Sequence, residues 1–257
     1  MRGRRARRCR YGCRVPLVAA AVCPHPPLIV PELAGAAAPE LDGLRAACDA
    51  AVAGLLASDA ESVLVVGGDD RDASLDHPFR GTFAPWGLPL EVQLGRLPDG
   101  RVGTDRLPLS LLVGAWLLSR RRPEEARRTS WRMATVAHHA PAEECAARGA
   151  RAGSDRPWGL LVMGDGSACR GPQSPGYHDP RAEAYDEGVA RALADADAEA
   201  LLDLDPALSA ELRVAGRAPW QVLAGAARAA GGDWRGTLRH HSAPYGVAYL
   251  VASWERA

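Results

Sequence analysis

Two spacings of apolar residues alternate along this chain. Val15–Cys23 (VPLVAAAVC), Ser62–Gly67 (SVLVVG), Trp131–Ala137 (WRMATVA) and Trp158–Met163 (WGLLVM) are short, largely continuous apolar runs. Runs of that kind are the pattern of strands covered on both faces. Between the first two, Pro39–Ala57 places Leu41, Leu44, Cys48, Val52 and Leu55 at helical spacing. A strand, a helix and a strand in that order predict a right-handed crossover and two parallel strands. Pro141–Arg151 repeats the arrangement between the third and fourth runs.

Further helices are predicted at Leu107–Leu118, Ala182–Ala196 and Ala218–Ala230. The first is opened by Pro108 and apolar on every side, so it reads as a helix sunk in the core. It is too short for the ~20 residues of a membrane span. The second turns Tyr185, Val189, Ala192 and Leu193 inward, and the third, opened by Pro219, buries Trp220, Val222 and Leu223. Leu88–Leu94 alternates like a strand with one wet face, and Arg101–Gly103 follows a Pro-Asp-Gly turn. Asp69–Phe83 reads as a polar loop, and Gly246–Ser253 as the last strand. The expected fold is α/β: a three-layer α/β/α sandwich around a central, mostly parallel sheet, in one domain over residues 15–257.

Composition is that of a globular chain, 47% hydrophobic and 24% charged over 257 residues. Its 31 basic and 31 acidic groups cancel, but Arg2, Arg4, Arg5, Arg7, Arg8, Arg10 and Arg14 all precede the first acid. Without those seven the remainder holds 24 basic against 31 acidic groups, a balance of −7. Such a body is a poor partner for a phosphate backbone, so no nucleic acid is expected. Residues 1–14 read as a disordered basic extension, because like charges repel and little apolar area is present to pack. A secretory reading of the basic head and Val15–Cys23 meets Pro24, Pro26 and Pro27 where a small-residue cleavage site belongs. The six cysteines form no CxxC pair and no zinc-finger spacing, which points to a reduced, cytoplasmic protein with no membrane segment.

Candidate chemistry gathers where the buried strands end, the edge at which open α/β sheets bind ligands. His25 stands in Pro24-His25-Pro26-Pro27, whose prolines hold the backbone at low entropic cost. A neutral imidazole there is either a metal ligand or a hydrogen-bonded structural residue. Asp69 and Asp70 follow Gly67-Gly68 and either ligate a cation, hold a partner histidine or cap a loop. Gly164-Asp165-Gly166-Ser167 lets Asp165 and Ser167 project over the edge as candidate catalytic groups. That loop is neither a dinucleotide fingerprint nor a nucleophile elbow, since the further glycines are missing. His138 and His139, adjacent on a strand end, point to opposite faces, so at most one serves a given site. A solvated turn is the alternative; if one enters the cleft, His139 is expected to be that residue. Tyr177, His178 and Trp86 lie on loops able to reach the same edge, and His240-His241 reads as surface.

CPHPPLIVPEL from Cys23, SVLVVGGDD from Ser62, LLVMGDGSACRG from Leu160 with Tyr185-Asp186 downstream, and AGRAPWQVL from Ala215 together resemble one family. It is that of the class III extradiol ring-cleavage dioxygenases, with their relatives the Memo proteins, in an actinobacterial-type branch. The resemblance spans about Val15 to Trp254 and implies an Fe(II) oxidoreductase that inserts oxygen into a dihydroxylated aromatic ring. It makes His25 a metal ligand and sets Asp69 or Asp70 at the second ligand histidine. The third ligand position falls at Ala215 and the acid/base histidine of the Asp-x-Ser-His motif at Ala168, leaving Asp165 and Ser167 of that motif. Two readings follow: an iron dioxygenase with degenerate positions, or a non-catalytic pseudoenzyme binding a small ligand or a protein partner in the same cleft. A homo-oligomer is compatible with either.

Overall fold

The computed structural model describes residues 17–75, 78–95, 107–120, 130–153 and 155–257. The basic extension 1–14 and the Arg101–Gly103 segment lie outside the described residues.

Strand β1 (Leu17–Cys23) leads through a 3-10 turn into the short helix α1 (Pro31–Ala34) and then α2 (Asp42–Ala57). Pro39, the predicted start of a helix, lies in a 3-10 segment just before α2. There follow β2 (Ser62–Asp69), β3 (Ala73–Leu75), β4 (Phe79–Thr82), β5 (Glu91–Leu94), α3 (Leu109–Ser119), β6 (Ser130–Ala137), α4 (Ala142–Arg151) and β7 (Trp158–Met163). The chain ends with α5 (Arg181–Asp195), α6 (Ala198–Leu202), α7 (Pro206–Glu211), α8 (Arg217–Ala230), β8 (Trp234–Ser242) and β9 (Tyr249–Arg256).

Seven strands form one sheet in the order β3-β6-β2-β7-β1-β9-β8, and β4 pairs with β5 in a separate ribbon. The middle four strands are parallel, as their two-sided burial requires. β3, β9 and β8 are antiparallel additions at the flanks. One face of the sheet, with Val22, Leu64, Val66, Leu160 and Val162, packs beneath α5 and α8. The other, with Ala21, Cys23, Val63, Val65 and Leu161, packs against α2 and α3. This is the expected three-layer α/β/α architecture.

Three expectations are corrected. Asp69–Phe83 is not all loop, since it carries β3 and β4. The last strand begins at Tyr249, three residues after the predicted start. Most visibly, β8 was not anticipated, and His240 and His241 lie inside it, paired with Val251 and Leu250. Arg235, Thr237 and Arg239 interrupt its apolar pattern because a flanking strand needs only one dry face.

Candidate functional site

The strand order brings the ends of β6, β2, β7 and β1 side by side, so the residues following them form a row along one edge. In sequence these are His138, Asp69-Asp70, Asp165 and His25. Gly164 donates its N–H to the Cys23 carbonyl at 3.0 Å, tying the β7 loop to the end of β1. Asp165 then accepts the His25 backbone N–H on Oδ1 at 2.7 Å, and the same oxygen lies 3.6 Å from His25 Nδ1. His25 is only 8% exposed, and its Nδ1 is buried with no hydrogen-bond partner. The carboxylate holds the Pro-His-Pro-Pro backbone and faces the buried ring nitrogen beyond hydrogen-bond distance. A second tether runs from Gly216 N–H to the Asp165 carbonyl at 2.8 Å.

His138 enters from the far side of the row; it, and not the expected His139, lies over the end of β2, although both histidines line the neighbouring cavity, where at most one was expected. Its N–H donates to the Asp69 carbonyl at 2.9 Å. Its imidazole lies over Gly68: a Cβ there would come within 2.6 Å of Cε1, 2.8 Å of Nδ1 and 3.1 Å of the Ala215 carbonyl oxygen. A glycine at this position is what admits the ring. Although His138 is exposed at its margin, crowding by protein pushes its pKa below the usual 6.5, and the nearby His25 and Arg217 push it further. Asp70 and Asp69 act in the opposite direction. The net direction favours the neutral imidazole.

Arg217, at the start of α8, is buried and spends its guanidinium on backbone. Nη2 donates to the His138 carbonyl, and Nη1 donates to the Ala140 carbonyl and to Gln221 Oε1. Among the described residues no carboxylate lies within ion-pairing distance of it. A buried cation without a carboxylate partner is costly to desolvate, and the backbone carbonyls it holds offset part of that cost.

Ser167 sits elsewhere. It is wholly buried, with its N–H on Asp186 Oδ1 at 2.8 Å and its hydroxyl on Oδ2 at 2.6 Å. Asp186 also meets Arg170 Nη1 at 3.4 Å. Burial raises the Asp186 pKa and the Ser167 bonds oppose the rise. These bonds anchor the β7 loop to α5. Ala168, next in the chain, donates its N–H to the Leu212 carbonyl at 2.9 Å and has no proton to exchange.

A cavity of about 550 Å³ opens beside this row, walled by His138, His139, Ser209, Arg213, Ala215 and Arg217 among others. That volume lies in the range of small-molecule sites. Tyr185 backs its wall through a 2.7 Å bond to Ser209 Oγ, and burial pushes its pKa up to about 12. Tyr177, His178 and Trp86 do not line it. Neither Arg217 nor the α7 wall was anticipated from the sequence. A clue to His138 was present, because it follows its strand as directly as Asp165 follows β7 and His25 follows β1.

Among the described residues no group of three or more His, Cys, Asp or Glu side chains converges as a metal site. His25 has an unpartnered nitrogen and Asp69 and Asp70 lie within electrostatic reach of His138, but Ala215, beside Gly68, presents only its carbonyl. This donor set does not fit the three-ligand iron centre of the ring-cleaving dioxygenases.

Fold and edge together define a three-layer α/β protein with a cavity beside the carboxyl ends of its parallel strands, lined by His138 but not by His25, Asp69, Asp70 or Asp165. No family model and no curated protein matches the chain. Among solved structures it is similar to the uncharacterized protein JW3007 from Escherichia coli K12, with a TM-score of 0.53 and 13% identity over 93% of this chain and 99% of that one. At that identity the likeness shows the fold. No helix among the described residues is long and apolar enough to cross a membrane.

Proposed function

We propose that this chain is a class III extradiol dioxygenase-like protein whose cleft binds a small hydroxylated aromatic compound without cleaving it. The observation that carries the reading is the His138 imidazole, which lines the 550 Å³ cavity and lies within electrostatic reach of His25, the partner of Asp165. A phenolic hydroxyl donates to such a nitrogen, and the exposed Arg213 in the same wall favours a ligand bearing a carboxylate. Turnover is a different matter. Ala168 supplies no general acid/base, a group worth ~10²–10⁴-fold. The residues near the other ligand positions do not assemble a metal site, so no redox step is assigned to them.

The test has two arms. Calorimetric titration with protocatechuate should show saturable binding that His138→Ala weakens by about tenfold, equivalent to ~1.4 kcal/mol. In parallel, the protein loaded anaerobically with ferrous iron and then exposed to air should form no yellow ring-opened product. Absence of binding overturns the cleft assignment, and robust turnover restores the oxidoreductase reading.

A further inference from the structure

A second cavity, of about 420 Å³, lies on the α4 side of the sheet near its β6 edge, away from the row of strand ends. Apolar groups make most of its walls, among them Leu64, Val66, Val136 and Val222. Into this apolar surface the sequence places Arg132, in mid-strand, where the alternation of β6 turns every second residue toward the helices.

The Arg132 guanidinium is incompletely matched. Nη1 donates to the Ala152 carbonyl at 3.0 Å, and the group lies 5.6 Å from the Trp158 ring centroid. Nε and Nη2 are buried with no hydrogen-bond partner, and Nε of Arg148, which lines the same cavity, is in the same condition. Arg148 is otherwise occupied with Asp72 and Glu144. No carboxylate among the described residues offsets the Arg132 charge, and burial alone depresses its pKa. The Nε–Nη2 edge is the one that grips a carboxylate with two parallel hydrogen bonds. A desolvated cation lacking a counter-charge is costly, and a bound anion relieves that cost.

We propose that this cavity binds a small monocarboxylic acid with an apolar body, its carboxylate on the Nε–Nη2 edge of Arg132 and its chain along Leu64, Val66, Val136 and Val222. Both nitrogens are shielded from water, so binding requires the guanidinium to turn a short way from its niche against Trp158. A buried unpaired charge is then exchanged for a paired one. The site is separate from the cleft at the strand ends and does not depend on what that cleft binds.

The probes are hexanoate and its neutral isostere hexanamide, titrated into ¹⁵N-labelled full-length protein. Hexanoate is expected to give saturable amide shifts around Leu64–Val66, Arg132–Val136 and Arg148–Ala152. Hexanamide, and hexanoate with Arg132→Gln, should bind about tenfold more weakly. Arg132→Lys, which keeps the charge but not the fork, should fall between, and His138→Ala should leave hexanoate binding unchanged. Equal binding of acid and amide overturns the proposal, as do shifts mapping to the His138 cavity or no saturable binding to the unmodified protein. The shift map on the unmodified protein decides the matter even if an Arg132 variant fails to fold.

Discussion

One oxygen of Asp165 accepts the His25 N–H and also faces the unpartnered His25 Nδ1, so a single carboxylate sets both backbone and ring. Asp165→Ala should cost about 1.5–3 kcal/mol, the range for a hydrogen bond to a charged group. Urea denaturation measures it, with Asp165→Asn, which keeps an acceptor, closer to the parent. His138 supplies a pH signature. Its folded-state pKa lies below the unfolded value of 6.5, so between the two the unfolded chain binds more protons. The associated stability is present above pH 6.5 and is lost as pH falls through the folded pKa. The fall in denaturation midpoint between pH 7.5 and pH 5 should accordingly be smaller for His138→Gln than for the parent. An identical fall in both would show that the ring is not held neutral.

At the scale of elements, α4 and α8 meet through glycines. A Cβ on Gly149 would fall on the Val222 carbonyl, and one on Gly225 on the Ala146 carbonyl. Replacing glycine by alanine inside a helix ordinarily gains ~1 kcal/mol of propensity. Against backbone, which cannot step aside, overpacking of ~1–3 kcal/mol wins, so Gly225→Ala should lower the melting temperature. Gly188→Ala in α5, with only the tip of Arg191 4.0 Å away, should raise it. The reverse order would contradict the packing described. The same contrast explains what was readable in the chain. The parallel strands were legible because burial on two faces makes their runs largely apolar, with Arg132 and Thr135 of β6 among the exceptions. β8 was not, because Arg235, Thr237 and Arg239 on a flanking strand match a loop as well as a sheet. At the site, His25 and Asp165 were legible from their place directly after buried strands. His138 was ambiguous, since two adjacent histidines are offered and only the glycine at 68 admits the His138 ring over the end of β2. Ser167 looked exposed from its glycine-rich neighbours, but Asp186, nineteen residues on, draws it inward.

Across the whole molecule, the parallel strands form the centre and the antiparallel ones the margins, and local stability should follow. Hydrogen exchange should find the β7 amides the slowest, flanked as they are by β2 and β1, with β3 and β8 opening first. Faster exchange in β7 than in β8 would contradict the sheet order. Among the described residues β3 pairs only with Met133–Thr135 of β6 on that side, and the second cavity lies beside it.

Arg217 carries a mechanical consequence. It stands at the start of α8 and holds the carbonyls of His138 and Ala140, while the body of the same helix is seated against α4 with backbone touching backbone. Helix and turn are therefore mechanically joined, with the glycine contact at one end and the backbone of His138 at the other. A methyl group added at the glycine contact is expected to shift the His138 turn, so the placing of that imidazole depends in part on residues remote from the cavity.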